Sequence, residues 1–120
     1  IGTDVATELL ACVKAAEARG LPKWLLWLDP GIGFSKTPAH SLALLASPEP
    51  VLALGFPLVL GVSRKGLLAQ LLAKHRPQNA PLLPPAERDW ATAAVSVLAA
   101  RWAALHRVHE ARISEALLVA

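Results

Sequence analysis

WLLWLDPGIGFSK, residues 24–36, decides the fold of this chain. The run from Trp24 to Leu28 is apolar throughout, and so short a run predicts a strand that is buried on both faces. Asp29-Pro30-Gly31 ends the strand with turn-forming residues, and a loop follows from Ile32 to Lys36. Strands buried on both faces are typical of parallel sheets covered by helices, so this stretch indicates an α/β fold.

Two further units of strand and helix follow. The apolar run from Pro57 to Val62 predicts a second strand, and residues 63–66, SRKG, lead from it into a short helix that ends near Lys74. The stretch from Leu105 to His109 predicts a third strand, which is followed by a short helix from Ile113 to Val119. The repeated order of strand and helix predicts a parallel sheet, either doubly wound or part of an eight-stranded barrel.

Three helices are predicted in the first half of the chain. The stretch from Asp4 to Arg19 is amphipathic, and Cys12 is expected on its core-facing side. Thr37 marks the start of a second helix, Pro38 to Ala46, because threonine caps a helix well and proline suits the first helical position. The stretch from Val51 to Leu54 predicts a third, short helix.

A proline-rich loop precedes the last long helix. Four prolines within residues 77–85 predict an exposed loop. The stretch from Ala86 to Ala104 is predicted to be the longest helix. Its apolar side is expected to contain Trp90, Ala94, Val97, Leu98 and Trp102.

The composition favours a compact domain that binds a small anion. The 120 residues are 54% hydrophobic and 18% charged, which excludes a disordered polar chain. A net charge of +3 and a pI near 9.5 suit an anionic ligand, whereas an aromatic content of 5% and the lack of a nucleic-acid motif argue against nucleic acid. The mean hydropathy of +0.44 is high for a small domain, so we expect apolar surface to meet a partner or more chain. Methionine is absent, so we expect the chain to be part of a longer protein.

The sequence indicates neither a membrane partner nor secretion. Charged residues such as Lys36 interrupt every apolar stretch before it reaches the roughly 20 residues that a membrane span needs. Residues 1–4 contain no apolar signal core, so we expect a cytoplasmic location, or an organelle in a eukaryotic source. Cys12 is the single cysteine, which excludes a disulfide within the chain.

Polar residues follow each predicted strand. Asp29 follows the first strand, Arg64 and Lys65 follow the second, and Arg107 and His109 belong to the third. Because the carboxyl ends of parallel strands lie on one face of a sheet, these side chains are expected to converge in one pocket. The alternative is that the charges only mark where the strands meet solvent, and strand order alone does not decide between the two.

The histidines fall into two groups. His109 and Arg107 are two residues apart, so on a strand they point to the same side, whereas His106 points to the other. His40, His75 and His106 lack the spacing of a metal site. We expect His40 on a helix surface, His75 in a loop and His106 on the outward side of the third strand.

Three motifs, in this order, resemble those of dihydropteroate synthases. They are DPGIGFSKT at residues 29–37, GVSRK at residues 61–65 and RVH at residues 107–109. The resemblance covers nearly the whole chain. It implies that residues 1–120 are one segment of the C-terminal part of a TIM (β/α)8 barrel, with about three βα units and a preceding helix. The N-terminal part of the barrel would be absent, and this segment alone would be inactive.

The resemblance also implies a reaction. Dihydropteroate synthases are transferases of folate biosynthesis that condense 6-hydroxymethyl-7,8-dihydropterin pyrophosphate with p-aminobenzoate to give 7,8-dihydropteroate and pyrophosphate, and they are targets of sulfonamides. By resemblance, Asp29 and Lys65 would bind the pterin. Four residues would lie at the p-aminobenzoate: Phe34, Ser63, Arg64 and Gly66.

The leaving pyrophosphate would be bound by Arg107 and His109. Cationic donors suit this task because the bridging oxygen leaves with developing negative charge. The resemblance therefore makes Lys65, Arg107 and His109 the catalytic residues. It implies Mg²⁺ as a cofactor whose main protein ligand lies in the absent N-terminal part, with no metal site in this segment. The partners implied are the two small-molecule substrates, and a full-length enzyme is expected to be a homodimer.

Two other functions stay open. The chain could be a non-catalytic pterin-binding or assembly module derived from such an enzyme. It could also be the pterin-binding part of a methyltransferase, which shares the barrel. The presence together of Asp29, Lys65, Arg107 and His109 favours the enzyme, because a module released from catalysis has no reason to keep four separated polar residues.

Overall fold

The structure is a computed structural model that describes residues 1–119. Helices and short parallel strands make up these residues, which confirms the predicted α/β class. The α-helices are α1 Gly2–Ala18, α2 Pro38–Ala46, α3 Glu49–Leu52, α4 Gly66–Ala73, α5 Asp89–Ala99 and α6 Ile113–Leu118. The strands are β1 Val59–Leu60 and β2 Leu105–His106, and short 3₁₀ helices cover Lys23–Leu25 and Pro85–Arg88.

Three segments of chain run parallel at the centre of the molecule. β1 pairs in parallel with β2, with Val59 opposite Leu105. On the other side of β1, a single parallel bridge joins Leu28 to Leu58. The predicted parallel arrangement of three segments is confirmed, and β1 lies in the middle.

The first predicted strand, Trp24 to Leu28, is wrong over most of its length. Its first residues belong to the 3₁₀ helix Lys23–Leu25, and only Leu28 pairs with a neighbouring segment. Trp24 is 78% exposed and Trp27 is 49% exposed, so the run is not buried on both faces. An apolar run does not specify a strand unless another strand lies beside it to complete its backbone hydrogen bonds.

The other two strands are shorter than predicted. β1 covers only the middle of the predicted range Pro57 to Val62, and β2 covers only the start of the range Leu105 to His109. Arg107 keeps one backbone hydrogen bond to β1, at 2.9 Å, whereas the N–H of His109 donates to the hydroxyl of Ser63. Arg107 and His109 therefore follow the strand rather than lie in it.

The helices of the first half agree with the sequence in type and order. α1 lies within two residues of its predicted ends, but Cys12 is exposed and the prediction that it packs in the core is wrong. Val13 takes the buried position instead, because successive helical residues point about 100° apart. The hydroxyl of Thr37 accepts the N–H of His40 at 3.1 Å, as expected of the capping residue of α2.

Two predictions on the later helices need correction. α3 begins at Glu49, two residues earlier than predicted, because Pro50 fits the first turn of a helix. The helix predicted from Ala86 to Ala104 begins as the 3₁₀ helix Pro85–Arg88 and ends at Ala99, so α1, not α5, is the longest.

The buried face of α5 also differs from the predicted one. Trp90 is 61% exposed and Leu98 is 73% exposed. The residues that α5 buries are small: Ala91, Thr92, Ser96 and Ala99. Small side chains allow α5 to lie close to the sheet, which brings its first turn near the end of β1.

The core lies beneath the carboxyl ends of the parallel segments. Its most buried large side chains include Ile32, Leu58, Leu60, Val62 and Leu68, each at most 2% exposed. Ile32 belongs to the loop after Leu28, so the core anchors this loop as well as β1. Among residues 1–119, no helix combines the length and the apolar character that crossing a membrane requires.

Candidate active site

Lys65 connects the end of β1 to the loop of residues 31–36. Its ammonium group donates to the backbone carbonyl of Ile32 and lies 3.9 Å from the centre of the Phe34 ring. A side chain at Gly33 would place its Cβ 3.0 Å from the Cδ of Lys65, and Gly33 has a φ of +74°. Glycine is therefore favoured at position 33 both by the backbone conformation and by the path of the lysine side chain.

The charges around Lys65 show which residues share its surroundings. Burial lowers the pKa of Lys65 most, the nearby carboxylate of Asp29 opposes this, and the cations of Arg107 and Lys36 lower the pKa further. Charges from the stretch after Leu28 and from the end of β2 thus act on one ammonium group at the end of β1. Asp29, Lys65 and Arg107 follow the three parallel segments in order, so the expected convergence at one edge of the sheet is confirmed.

We call this edge the rim, and it contains Asp29, Phe34, Lys65 and Arg107. Asp29 is exposed, and one of its carboxylate oxygens accepts the N–H of Gly31 at 2.8 Å. That contact folds the chain into a turn directly after Leu28, as the Asp-Pro-Gly sequence predicts.

The loop of residues 31–36 is held by side chains as well as by its turn. The ammonium group of Lys36 donates to the carbonyls of Gly31, at 3.2 Å, and of Phe34, at 3.3 Å. The buried hydroxyl of Ser41 in α2 accepts the N–H of Gly33 at 3.1 Å. Ser35 takes a φ of +47°, a left-handed conformation that glycine adopts more readily. Phe34 stays 63% exposed and faces the ammonium group of Lys65.

Arg107 reaches the rim from the end of β2. Its guanidinium group lies across Gly61, where a Cβ would come within 3.2 Å of Nη2. Gly61 is buried at the end of β1, so the absence of a side chain there lets the guanidinium lie against the strand. The GVSRK motif thus contributes two features: room for Arg107 and the position of Lys65.

His109 is held against the end of β1 by Ser63. The backbone N–H of His109 donates to the Ser63 hydroxyl at 3.1 Å, and the Nδ1 atom of its ring lies 3.0 Å from the same oxygen. Ser63 is 2% exposed, so its hydroxyl meets His109 and not solvent. The position of Ser63 suits support of His109 better than the p-aminobenzoate contact that the resemblance implied.

Arg64 points away from the rim. Its guanidinium forms two hydrogen bonds with the carboxylate of Asp89, at 2.9 and 2.7 Å. Its backbone is in the left-handed conformation, with φ +59°, and its N–H donates to the hydroxyl of Thr92 at 3.2 Å. Arg88 donates to the carbonyl of Arg64 at 2.8 Å. Arg64 therefore attaches the end of β1 to the start of α5.

The pair of Arg64 and Asp89 is electrostatically well matched. The hydrogen bond from Arg64 is the largest cause that lowers the pKa of Asp89, and the positive charge of Arg64 lowers it further. No sequence motif indicates the pairing of Arg64 with Asp89, because Asp89 lies 25 residues further along the chain.

The described residues do not form a metal centre. Within residues 1–119, no three side chains of His, Cys, Asp or Glu come together in a group that could hold a metal ion. The rim also contains cations around its single carboxylate, Asp29, which is an unfavourable environment for Mg²⁺. The residues present therefore do not fit a magnesium site.

Comparison with known proteins decides the family. The sequence model of the family described as "Pterin binding enzyme" matches residues 1–109. The chain belongs to the family of pterin binding enzymes. All three motifs at the rim lie within the matched residues, and the resemblance drawn from them is confirmed.

Relatives in this family include dihydropteroate synthases. The chain is 43% identical over 112 residues to the dihydropteroate synthase of Mycobacterium leprae, covering 92% of this chain and 38% of that relative. It matches the structure of dihydropteroate synthase from Xanthomonas albilineans in complex with 7,8-dihydropteroate with a TM-score of 0.85 and 35% identity, covering 97% of this chain and 43% of the other. A structure of the Xanthomonas enzyme with 4-aminobenzoic acid matches with a TM-score of 0.84 and 35% identity, covering 97% and 42%. The chain thus spans about two fifths of the length of these pterin binding enzymes.

Proposed function

We propose that this chain forms the C-terminal three βα units of a dihydropteroate synthase barrel and contributes the rim at which the pterin and p-aminobenzoate react. The observation that carries the proposal is the position of Lys65, whose ammonium group lies over the Phe34 ring while the charges of Asp29 and Arg107 act on it. The ammonium group of Lys65 thus lies over an aromatic ring and interacts with the charges of a carboxylate and a guanidinium.

This arrangement suits the condensation chemistry. The amine nitrogen of p-aminobenzoate forms a bond to the methylene carbon of the pterin, the bond from that carbon to the bridging oxygen breaks, and the nitrogen loses a proton. The departing pyrophosphate takes the electron pair of the broken bond as negative charge. Arg107 and Lys65 supply positive charge at the rim, which lowers the barrier because their attraction grows as the bond breaks.

The substrate contacts divide between two sides of the rim. The Asp29 carboxylate accepts hydrogen bonds from N–H groups of the pterin, for which an acceptor fixed at a strand end is well suited. Lys65 donates to the pterin, and Phe34 covers the ring of p-aminobenzoate, whose carboxylate meets the free N–H groups at the start of α4 near Gly66. The solved relative that contains 4-aminobenzoic acid supports this substrate class.

Ser63 and Arg64 act on the substrates indirectly in this proposal. Their side chains are occupied by His109 and Asp89, so they position the chain around Lys65. The main protein ligand of Mg²⁺ belongs to another part of the barrel, a homodimer is the expected assembly, and sulfonamides compete with p-aminobenzoate. A cytoplasmic location fits folate synthesis in bacteria.

A chimeric enzyme tests the proposal directly. In the Mycobacterium leprae synthase, the segment that matches this chain is replaced by this chain, and formation of 7,8-dihydropteroate is measured. We expect a folded and active chimera, because the replaced segment is 43% identical. In this chimera Arg107→Ala should depress turnover about 100-fold or more while leaving the KM for p-aminobenzoate nearly unchanged, because the guanidinium acts on the leaving group.

The control is Arg101→Ala, an exposed arginine at the opposite end of β2. It should change turnover by less than about twofold, as expected of a surface substitution. A folded chimera that binds the pterin but forms no product would indicate the non-catalytic module. A chimera that binds pterin and transfers a methyl group would indicate the methyltransferase.

A further inference from the structure

Ser63 and His109 form a pair whose hydrogen bonds determine where the imidazole proton lies. Ser63 directly follows the buried Val62 and is itself only 2% exposed. Its hydroxyl oxygen accepts the backbone N–H of His109 at 3.1 Å and lies 3.0 Å from Nδ1 of the same residue. Two contacts to one histidine, one from the backbone and one from the ring, fix both the position and the rotation of the imidazole.

The hydroxyl of Ser63 has one proton to donate. Within residues 1–119, Nδ1 of His109 is the acceptor that lies within hydrogen-bond distance of it. If the hydroxyl donates to Nδ1, the neutral imidazole carries its own proton on Nε2, the nitrogen on the other side of the ring. If Nδ1 were protonated instead, the serine oxygen would accept two N–H groups and its own proton would be left without a partner in a buried position, which is costly.

We infer that Ser63 is a positioning residue that holds neutral His109 in the tautomer with the proton on Nε2, so that this N–H is presented at the rim as a donor to a pyrophosphate oxygen. The inference rests on the proposed function for the identity of the ligand, but the tautomer follows from the contacts of this chain alone.

A neutral donor fits the charges already present at the rim. Lys36, Lys65 and Arg107 are cations close enough for their charges to interact. A charged His109 would be a fourth cation at the proposed anion site, whereas an oriented neutral N–H adds direction without further repulsion. The charge of Asp89 in α5 is the one that interacts with His109, but both oxygens of this carboxylate accept hydrogen bonds from Arg64, and Ser63 is the group that contacts Nδ1.

Nitrogen NMR of the chimera, labelled with ¹⁵N-histidine, tests the tautomer without any assay of activity. Comparison with His109→Gln assigns the two ring signals of His109. At pH 7.5 we expect the proton on Nε2 and an unprotonated Nδ1. A proton on Nδ1 in the parent chimera would overturn the inference, even if the enzyme were fully active.

Variants of Ser63 test its part in the pair. Ser63→Ala should give a mixture of tautomers, and Ser63→Thr, which keeps the hydroxyl, should restore the parental spectrum. Ser96→Ala is the matched control, because Ser96 is also a buried serine, 1% exposed, and its hydroxyl has no hydrogen-bond partner within residues 1–119. A parental tautomer in Ser63→Ala would overturn the role of Ser63.

Steady-state kinetics distinguish this role from contact with p-aminobenzoate. We expect Ser63→Ala to lower turnover or raise the KM for the pterin pyrophosphate about threefold to tenfold, the usual effect of one neutral hydrogen bond, with no change in the KM for p-aminobenzoate. An effect confined to the KM for p-aminobenzoate would overturn the inference and leave the proposed function intact. An inactive chimera with the expected tautomer would instead reject the proposed function and keep the pairing.

Discussion

Arg64 and Lys65 are neighbours in the chain, yet their side chains lie in opposite surroundings. Arg64 turns towards α5, where Asp89 binds its guanidinium through two hydrogen bonds. Lys65 turns towards the rim, where a carbonyl and an aromatic ring receive its ammonium group. Within residues 1–119, the guanidinium forms a salt bridge with a carboxylate, and the ammonium group forms none.

The same contrast occurs at the end of β2. Arg107 reaches the rim and is exposed. His106, the residue before it, has both ring nitrogens buried, and neither finds a hydrogen-bond partner among residues 1–119. Away from the rim, the guanidinium of Arg64 is thus paired with Asp89, and the ring nitrogens of His106 are kept out of solvent. Polar groups on the rim retain hydrogen-bonding capacity, which is what a binding site for a charged ligand requires.

The largest effect is expected on the rim side, for Lys65→Ala. In the chimera we expect kcat/KM to fall about 100- to 1,000-fold, because a donor is lost at the place where charge develops. Lys74→Ala removes an exposed lysine just after α4 and is the control, with activity expected within about twofold of the parent. Near-parental activity of Lys65→Ala would mean that the rim is not where the reaction occurs.

A smaller effect is expected for Asp29→Asn. The amide keeps the shape of the carboxylate but presents a donor where the pterin needs an acceptor, and such a mispaired group costs about 1 to 3 kcal/mol, or roughly a five- to 150-fold loss of affinity. Titration calorimetry with the pterin pyrophosphate measures this directly. Asp4→Asn, an exposed position in α1, is the control. Normal pterin affinity in Asp29→Asn would contradict the assigned contact.

Away from the rim, the buried ring of His106 should make the free energy of unfolding depend on pH. Burial lowers the pKa of His106 from its ordinary value of 6.5, so the folded chain keeps this ring neutral at pH values where the unfolded chain takes up a proton. Its contribution to stability is therefore constant above pH 6.5 and is lost as the pH falls below 6.5 through the lower folded pKa.

Thermal unfolding of the chimera between pH 5.5 and 8 checks this expectation. His106→Leu should weaken the loss of Tm on acidification, because leucine has no proton to take up. His75→Gln changes an exposed histidine and should keep the parental slope. Equal slopes in His106→Leu and the parent would show that other groups cause the acid sensitivity.

The smallest effect is expected at Ser35, whose φ is +47°. A non-glycine residue in this conformation costs about 1 to 2 kcal/mol, and part of the gain from glycine is offset by its greater freedom in the unfolded chain. We expect Ser35→Gly to stabilise the chimera by up to about 1 kcal/mol in denaturant unfolding. Ser47→Gly, at a position with φ −136°, should not stabilise. Destabilisation by Ser35→Gly would show that the serine makes a contact that compensates its strain.

The fold was predictable where local chemistry determines it. The capping threonine before Pro38 and the turn at Asp29 were read correctly, because each depends on neighbours a few residues away. The run from Trp24 to Trp27 was misread, because whether an apolar segment becomes a strand depends on a partner strand that its own sequence does not reveal.

The candidate site shows the same division. The strand-end rule correctly brought Asp29, Lys65 and Arg107 together, since it follows from the parallel order of the segments. The pairing of Arg64 with Asp89 and of Ser63 with His109 was not predicted. These contacts join residues 25 and 46 positions apart, and only the packing of α5 and the end of β2 around β1 makes them neighbours.

The parallel pairing of β2 with β1 also sets an order of folding. The pairing of β2 with β1 closes a long loop of chain. Closing the loop costs conformational entropy before the paired strands contribute any stabilisation, so this pairing forms late in folding. During synthesis, α1 to α4 are made before β2, and the edge of β1 next to β2 stays open until residues near Leu105 emerge. An open strand edge can pair with another chain and lead to aggregation. The last strand therefore closes a vulnerable edge in the same step that delivers Arg107 to the rim.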